Sequence, residues 1–214
     1  MTATLPPIIV PNEIDPFIIA SVHTAGWCVV TDYIPAFVIS TLREELLEQW
    51  HQGDFKAAGI GRGSGQVVEA SIRSDQLKWL SSEDLTPAQS YYWQAMNGLR
   101  QQLNQQLYLG LVEFEAHLSV YASGSFYQRH CDQFRGVGLR EVTVILYLND
   151  AWQEEDGGQL LLYKDMDTPQ ILDRISPCAG QLVVFLSAEF PHEVLPARRQ
   201  RLSLTGWFKK RAID

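Results

Sequence analysis

His130 and Asp132, past the middle of the chain, have the types and spacing to begin a metal site. His130, Cys131 and Asp132 close the run YASGSFYQRHCD. In a strand, residues i and i+2 project to the same side, so His130 and Asp132 converge while Cys131 faces away. An imidazole and a carboxylate on one face offer two ligands to a borderline divalent metal. Two ligands hold such an ion poorly, and His192 in FPHEVLP is the candidate third, because the intervening strand-like runs can return the chain to the same end of a barrel. Two histidines and one carboxylate leave three coordination positions open, which suits a non-haem Fe(II) centre. An HxD pattern alone is common in a chain of this length. Of the other histidines, His23 lies in a helical segment and His51 at a helix end, and both read as structural. His117 shares a strand face with Tyr121 and reads as pocket lining.

Nine residues after His192, Arg201 reads either as an anion ligand or as the solvated arginine of a surface strand. The run RLSLTGWF places Arg201, Ser203, Thr205 and Trp207 on one face, with Leu202, Leu204 and Phe208 on the other. A guanidinium turned into a dry core without a partner is very costly. It is accounted for if an anion sits there, since arginine presents a planar fork that grips a carboxylate with two hydrogen bonds. Tyr147, on the face of EVTVILYLND that carries Glu141, Thr143 and Ile145, offers a second donor to the same carboxylate. Arg198 and Arg199 read as solvated turn residues.

The elements that must position these groups change character near residue 110. Before it the apolar spacing is helical: Asp15 to Ala25 carries Phe17, Ile18, Val22 and Ala25 near a 3.6-residue period. WCVVTDY (27–33) reads as a strand. Pro35 opens a helix through Gln52 with Phe37, Leu42, Leu46 and Leu47 on one side, and another helix runs from about Pro87 to Leu107. Between them KAAGIGRGSGQ holds Gly59, Gly61, Gly63 and Gly65, and a segment spanning about 56–80 is expected to be a mobile loop. After residue 110 the period becomes two. Glu113, Glu115, His117, Ser119 and Tyr121 alternate with Phe114, Ala116, Leu118 and Val120, and strand-like runs follow at 141–148, 158–163, 181–186 and 201–208. Many short strands with spaced turns predict a mainly β fold, a small jelly roll (double-stranded β-helix) with helices against one sheet. One domain over 1–214 is expected, with 1–110 as mostly helical support and 111–214 as the jelly-roll core.

Composition limits the partners. The chain has 214 residues, 46% of them hydrophobic, and a net charge of −8. This is ordinary globular composition, and the negative balance repels a phosphate backbone, so no nucleic-acid partner is expected. The longest apolar run, Val144 to Leu148, is far too short to span a bilayer, and the first residues lack the basic region of a signal peptide. Cys28, Cys131 and Cys178 are widely spaced with no CxxC, which fits reduced thiols in a cytoplasmic protein. Glu154 to Gly158 reads as a solvated turn rather than a cation site.

Taken together, the motifs resemble one family. The run Y-x-x-G-x-F-Y-x-x-H-x-D, then Tyr147-Leu148-Asn149, Gly157-Gly158, PHEV and Arg201, is similar to the 2-oxoglutarate- and Fe(II)-dependent oxygenases, within them to the prolyl hydroxylases of the hypoxia-sensing type and their bacterial relatives. The resemblance covers 111–208, and RSDQLKWL (73–80) extends it toward the N-terminus. It implies Fe(II) on His130, Asp132 and His192, and the distal carboxylate of 2-oxoglutarate on Arg201, helped by Tyr147 and Thr205. It places Tyr121, Tyr127, Ile145, Leu160 and Trp207 at the pocket wall, and Arg140, Arg73, Asp75 and Trp79 on the substrate side. His117 departs from it, standing where animal members carry an apolar residue. The implied reaction decarboxylates 2-oxoglutarate to succinate and CO2 and hydroxylates a C–H bond with O2. Ascorbate serves as a possible reductant, and a carboxylate at Asp132 favours hydroxylation over halogenation. The implied partner is a protein carrying a target proline, by analogy with bacterial relatives a translation elongation factor such as elongation factor Tu, met by a monomer. A hydroxylase of a free amino acid or small metabolite, and a jelly-roll sensor that binds metal and dicarboxylate without turnover, are the alternative readings.

Overall fold

The computed structural model describes residues 13–59, 69, 71–133 and 138–211. Eleven strands and three α-helices are formed by these residues. Helix α1 (Asp15–Ala25) begins with a proline in its first turn, where the missing N–H costs nothing. It leads into β1 (Trp27–Val30), then α2 (Ala36–His51), β2 (Lys56–Ala57) and β3 (Gln76–Trp79). Helix α3 (Pro87–Leu107) is closed at its start by a capping box between Thr86 and Gln89. Then come β4 (Leu111–Tyr121), β5 (Tyr127–His130), β6 (Arg140–Tyr147), β7 (Leu160–Tyr163), β8 (Ile171–Ile175), β9 (Leu182–Leu186), β10 (His192–Val194) and β11 (Arg201–Lys210). No helix of the described residues is long and apolar enough to cross a membrane.

The strands form two antiparallel sheets facing each other, the jelly-roll arrangement. The larger has the order β1-β9-β6-β11-β4-β3-β2 and the smaller β5-β10-β7-β8. Period-two patterning in the central strands divides the interior in two. Ala116, Leu118, Val120, Val144, Leu146, Leu202 and Leu204 face the helices and join Ile18, Val38, Leu42, Leu46, Met96 and Leu99 in one core. The alternate residues, among them Tyr121, Ile145, Tyr147, Val183 and Phe185, face the smaller sheet and pack on Leu160, Leu162 and Val194. The helices thus stiffen the back of a wall whose front is free to carry chemistry.

Several expectations are corrected. The segment 56–80 is not loop throughout: β2 and β3 pair with each other and β3 pairs with β4, so the first half of the chain adds strands to the larger sheet as well as helical support. The glycine-rich run from Ile60 to Val68 lies outside the described residues. The strand at 27–33 ends at Val30. Ile18, Val22, Leu42 and Leu46 are buried as expected, but Phe17 is 57% and Phe37 48% exposed, and Ile19, Val38 and Ile39 complete the buried stripes in their place. Strands β5, β8 and β10 are too short or too polar to show a period. Arg199 is not merely solvated, because it pairs with Asp156 at 3.1 Å, donates to the Asp150 carbonyl at 2.6 Å and stacks on Trp152.

Candidate active site

The metal-binding candidates come together at one end of the two-sheet stack. His192 and His130 are directly opposite in the β10–β5 pairing, and Asp132 follows β5. Ligand atoms of His130, Asp132 and His192 lie within 4.8 Å of one another, and each histidine Nε2 is 3.7 Å from an Asp132 oxygen. The Nδ1 atoms are engaged elsewhere: His130 Nδ1 lies 2.8 Å from the Gln128 carbonyl and His192 Nδ1 3.0 Å from the Phe190 carbonyl. A carbonyl only accepts, so each Nδ1 carries the proton and each Nε2 turns a lone pair toward Asp132. Burial, reinforced by the neighbouring His130, holds the His192 imidazole down at about 4, so it is neutral and ready to ligate at physiological pH. Burial alone would raise the Asp132 carboxyl, but the facing His192 and His130 outweigh it and hold the group well below the usual carboxylate range. The donor set is two imidazole nitrogens and one carboxylate oxygen, which fits Fe(II) with open positions. Tyr127 stacks on His130 with centroids 3.5 Å apart, and Phe185 meets His192 edge-on at 4.9 Å, so both rings are held by packing.

A cavity of about 130 Å³ extends from this triad across the front of the larger sheet. Strand register sets its wall in rows. Tyr121 lies opposite Arg201 at one end, then Ser119 opposite Ser203 and His117 opposite Thr205, and Trp207 is flanked by Glu115 and Thr143 at the other end. Of the residues singled out in the sequence, His130, Asp132, His192, Arg201, Thr205, Tyr121, Tyr127, Trp207, Arg140, Arg73 and Trp79 all line this cavity. Tyr147 and Asp75 do not. Asp75 is buried beneath the wall, where it takes both ends of the Arg73 guanidinium at 2.8 and 2.7 Å. Tyr147 is fully buried beside Arg201, and its hydroxyl has no hydrogen-bond partner among the described residues.

The three arginines of the wall are in different states. Arg73 is paired with Asp75. Arg140 is paired with Glu115 at 2.8 Å and lies 3.6 Å over the Trp207 ring. Arg201 is 2% exposed and makes no ion pair among the described residues; its Nε donates to the Gly158 carbonyl at 2.9 Å. With the unpartnered Tyr147 hydroxyl alongside, it forms a cradle that fits a carboxylate. His117 is pocket lining as expected: its Nδ1 is 2.9 Å from the Ser119 hydroxyl, its ring meets Trp79 edge-on at 4.9 Å, and burial keeps it neutral by lowering it to about 4.

Sequence reasoning missed the supporting residues. Gly158 sits at φ +65°, and a Cβ there would lie 3.1 Å from Arg201 Cδ, so this glycine lets the backbone approach the guanidinium it orients. Only the Gly157-Gly158 pair hinted at it. Thr143 donates to Asp132 Oδ2 at 2.8 Å, although its strand face had been readable. Cys131, just past the end of β5, lines a separate groove that His130 also borders.

The family model described as the 2OG-Fe(II) oxygenase superfamily matches residues 116–209, which contain the triad and the anion cradle. The chain is similar to a Pseudomonas putida prolyl-4-hydroxylase of solved structure: 39% identity over 92% of this chain and 100% of that one, with a TM-score of 0.82. A Trichoplax adhaerens prolyl hydroxylase, solved with a peptide fragment of the hypoxia inducible factor oxygen degradation domain, is 25% identical over 92% of this chain and 90% of that one, with a TM-score of 0.83. Human Egl nine homolog 1 is 28% identical over 90% of this chain and 46% of its own length. The hypoxia-inducible factor prolyl hydroxylase of Caenorhabditis elegans is 28% identical over 89% of this chain and 27% of its length. The chain therefore spans less than half of these two relatives.

Proposed function

Because the chain belongs to the 2-oxoglutarate- and Fe(II)-dependent oxygenases, we propose that it hydroxylates prolyl residues within a polypeptide. Fe(II) is held by His130, Asp132 and His192. Arg201 and Tyr147 take the distal carboxylate of 2-oxoglutarate, with Thr205 and Tyr121 at the wall beside it. When bound, iron with 2-oxoglutarate and O2 supplies oxidative decarboxylation to succinate and CO2 coupled to insertion of one oxygen atom into a C–H bond. The residues of the chain bind, orient and exclude water. The Nδ1-anchored imidazoles face their lone pairs to the iron. The paired cations Arg73 and Arg140, with Tyr127, Trp79 and Trp207, line the substrate side.

One observation carries the reading. Among the described residues Arg201 is the wall arginine without a carboxylate, it lies beside a buried hydroxyl that lacks a well-formed hydrogen bond, and it opens on the same cavity as the triad. A polypeptide substrate is supported by the Trichoplax relative, which was solved with a peptide. Elongation factor Tu is the first protein to test, ascorbate is the reductant, and the protein acts as a cytoplasmic monomer without a nucleic-acid partner. These finer points rest on composition and family resemblance.

The first test is anaerobic. Fe(II) followed by 2-oxoglutarate should produce the visible metal-to-ligand charge-transfer band of a chelate; a folded protein without the band refutes the metal and cosubstrate assignment. The second adds O2 and a proline-bearing polypeptide and looks by mass spectrometry for one added oxygen on proline. Oxidation of free amino acids or small molecules alone would replace the polypeptide reading with a metabolite hydroxylase.

A further inference from the structure

Behind Asp132 stands a short chain of hydroxyls that the metal site itself does not require. Thr143, on β6, donates to Asp132 Oδ2 at 2.8 Å, and its oxygen lies 2.8 Å from the Ser187 hydroxyl, just past the end of β9. Both side chains are fully buried. Ser187 is fixed in turn by its backbone N–H, which donates to the Glu141 carbonyl at 3.0 Å. The direction of the chain is forced. An ionised carboxylate only accepts, so the single Thr143 proton goes to Asp132. Thr143 must then accept from Ser187. Every proton in the series has one place to go, and no water is needed to complete it.

A carboxylate turns easily about its last torsion, which is broad and roughly two-fold. Left alone, Asp132 can offer a metal one oxygen or two. Two would occupy a second coordination position and leave too few for a chelating cosubstrate and O2 together. We propose that Ser187 and Thr143 are positioning residues that pin the Asp132 plane: Thr143 takes one lone pair of Oδ2 and fixes the orientation in which Oδ1 lies 3.7 Å from His130 Nε2 and Oδ2 3.7 Å from His192 Nε2. The proposal rests on the metal reading of the triad, but not on the identity of the substrate.

The test uses the full chain stripped of metal and titrated with Co(II), whose visible absorption reports both affinity and coordination number. Thr143→Val keeps the shape and β preference of the residue and removes the donor. It should weaken Co(II) binding about 10- to 100-fold, the usual cost of losing the partner of a ligating carboxylate, and change the band intensity as the carboxylate is freed to turn. Thr143→Ser should restore affinity and spectrum. Ser187→Ala, which leaves Thr143 its own proton, should lose less than Thr143→Val, and adding it to Thr143→Val should change nothing further. A purely structural role would lower the melting temperature while leaving affinity and spectrum alone. Parent-like binding by Thr143→Val, or failure of Thr143→Ser to rescue, overturns the proposal. If valine at 143 prevents folding, parent-like Co(II) binding and spectrum in Ser187→Ala overturn it. If the parent takes up no Co(II), the metal reading fails and this proposal with it; if only the variants match the parent, this proposal alone fails.

Discussion

Removing the Tyr147 hydroxyl should move stability and cosubstrate affinity in opposite directions. The hydroxyl is fully buried beside Arg201 and has no well-formed hydrogen bond among the described residues. A buried polar group without a hydrogen bond costs roughly 1–3 kcal/mol relative to an apolar replacement of the same shape. Tyr147→Phe should therefore stabilise the metal-loaded, cosubstrate-free protein by about 2 kcal/mol, or roughly 4–8 °C in melting temperature for a chain of this size. The same hydroxyl becomes a donor to a charged carboxylate when 2-oxoglutarate binds, an interaction of roughly 1.5–3 kcal/mol. Its loss should raise the Kd for 2-oxoglutarate about 10- to 150-fold. The assay is thermal unfolding under anaerobic conditions with Mn(II), across a 2-oxoglutarate series. Ligand adds RT ln(1 + [L]/Kd) to each protein, so the advantage of the variant should shrink as cosubstrate rises and vanish near saturation of the parent. A variant less stable than its parent without cosubstrate would show that the hydroxyl is already satisfied. Equal affinities would show that Tyr147 does not touch the carboxylate. Either result breaks the reasoning that assigns the cradle.

Three further outcomes follow from the same geometry. Arg201→Gln should weaken 2-oxoglutarate by roughly 30- to 5,000-fold, the cost of losing a buried charge-assisted pair, while metal titration stays at parent affinity; His130→Ala should do the reverse and abolish metal uptake. Gly158→Ala forces a side chain into the left-handed region and against Arg201, and should cost about 1–3 kcal/mol in urea unfolding together with a rise in the 2-oxoglutarate Kd larger than any change in metal affinity. Glu115 is held below the usual carboxylate range: burial opposes this, but Arg140 and Lys209 outweigh it. Its contribution is therefore present above the unfolded value of about 4.3 and lost as pH falls through the lower folded value. Parent and Glu115→Gln should differ by under about 1 kcal/mol above pH 5, because the pair is part exposed, and converge in acid. A gap that widens on acidification would reverse the assignment.

Much of the chemistry was legible in the sequence because strands translate spacing into direction. Period two puts Arg201 with Thr205 and Trp207, and the cost of burying a lone guanidinium marks Arg201 as a candidate anion ligand before any coordinates are known, whereas Asp132, expected on the strand of His130, lies just past the end of β5. Helical periodicity located α1 and α2 and most of the face each buries, but not its edges. Phe17 and Phe37 are as apolar as the residues buried there, and only docking against the sheet chose Ile19 and Val38.

Contacts between distant segments were decided by the tertiary structure. That β10 returns beside β5, bringing His192 opposite His130, depends on strand order, and a strand as short as His192–Val194 carries no period of its own. That β3 joins the larger sheet was hidden because its pattern is half exposed and follows glycines. The pairing of Arg73 with Asp75 and of Arg140 with Glu115, against an Arg201 that has no carboxylate partner among the described residues, separates three arginines that look alike in the sequence. The Ser187–Thr143–Asp132 series and the Gly158 carbonyl depend on hydrogen bonds between residues far apart in the chain, whose identity is set by three-dimensional proximity. The sequence by itself determined which residues can ligate and which way each points along its strand, since both follow from residue chemistry and local geometry. Which of them meet, and with what protonation and partners, was settled by sheet order and burial, because desolvation and pairing are properties of the assembled interior.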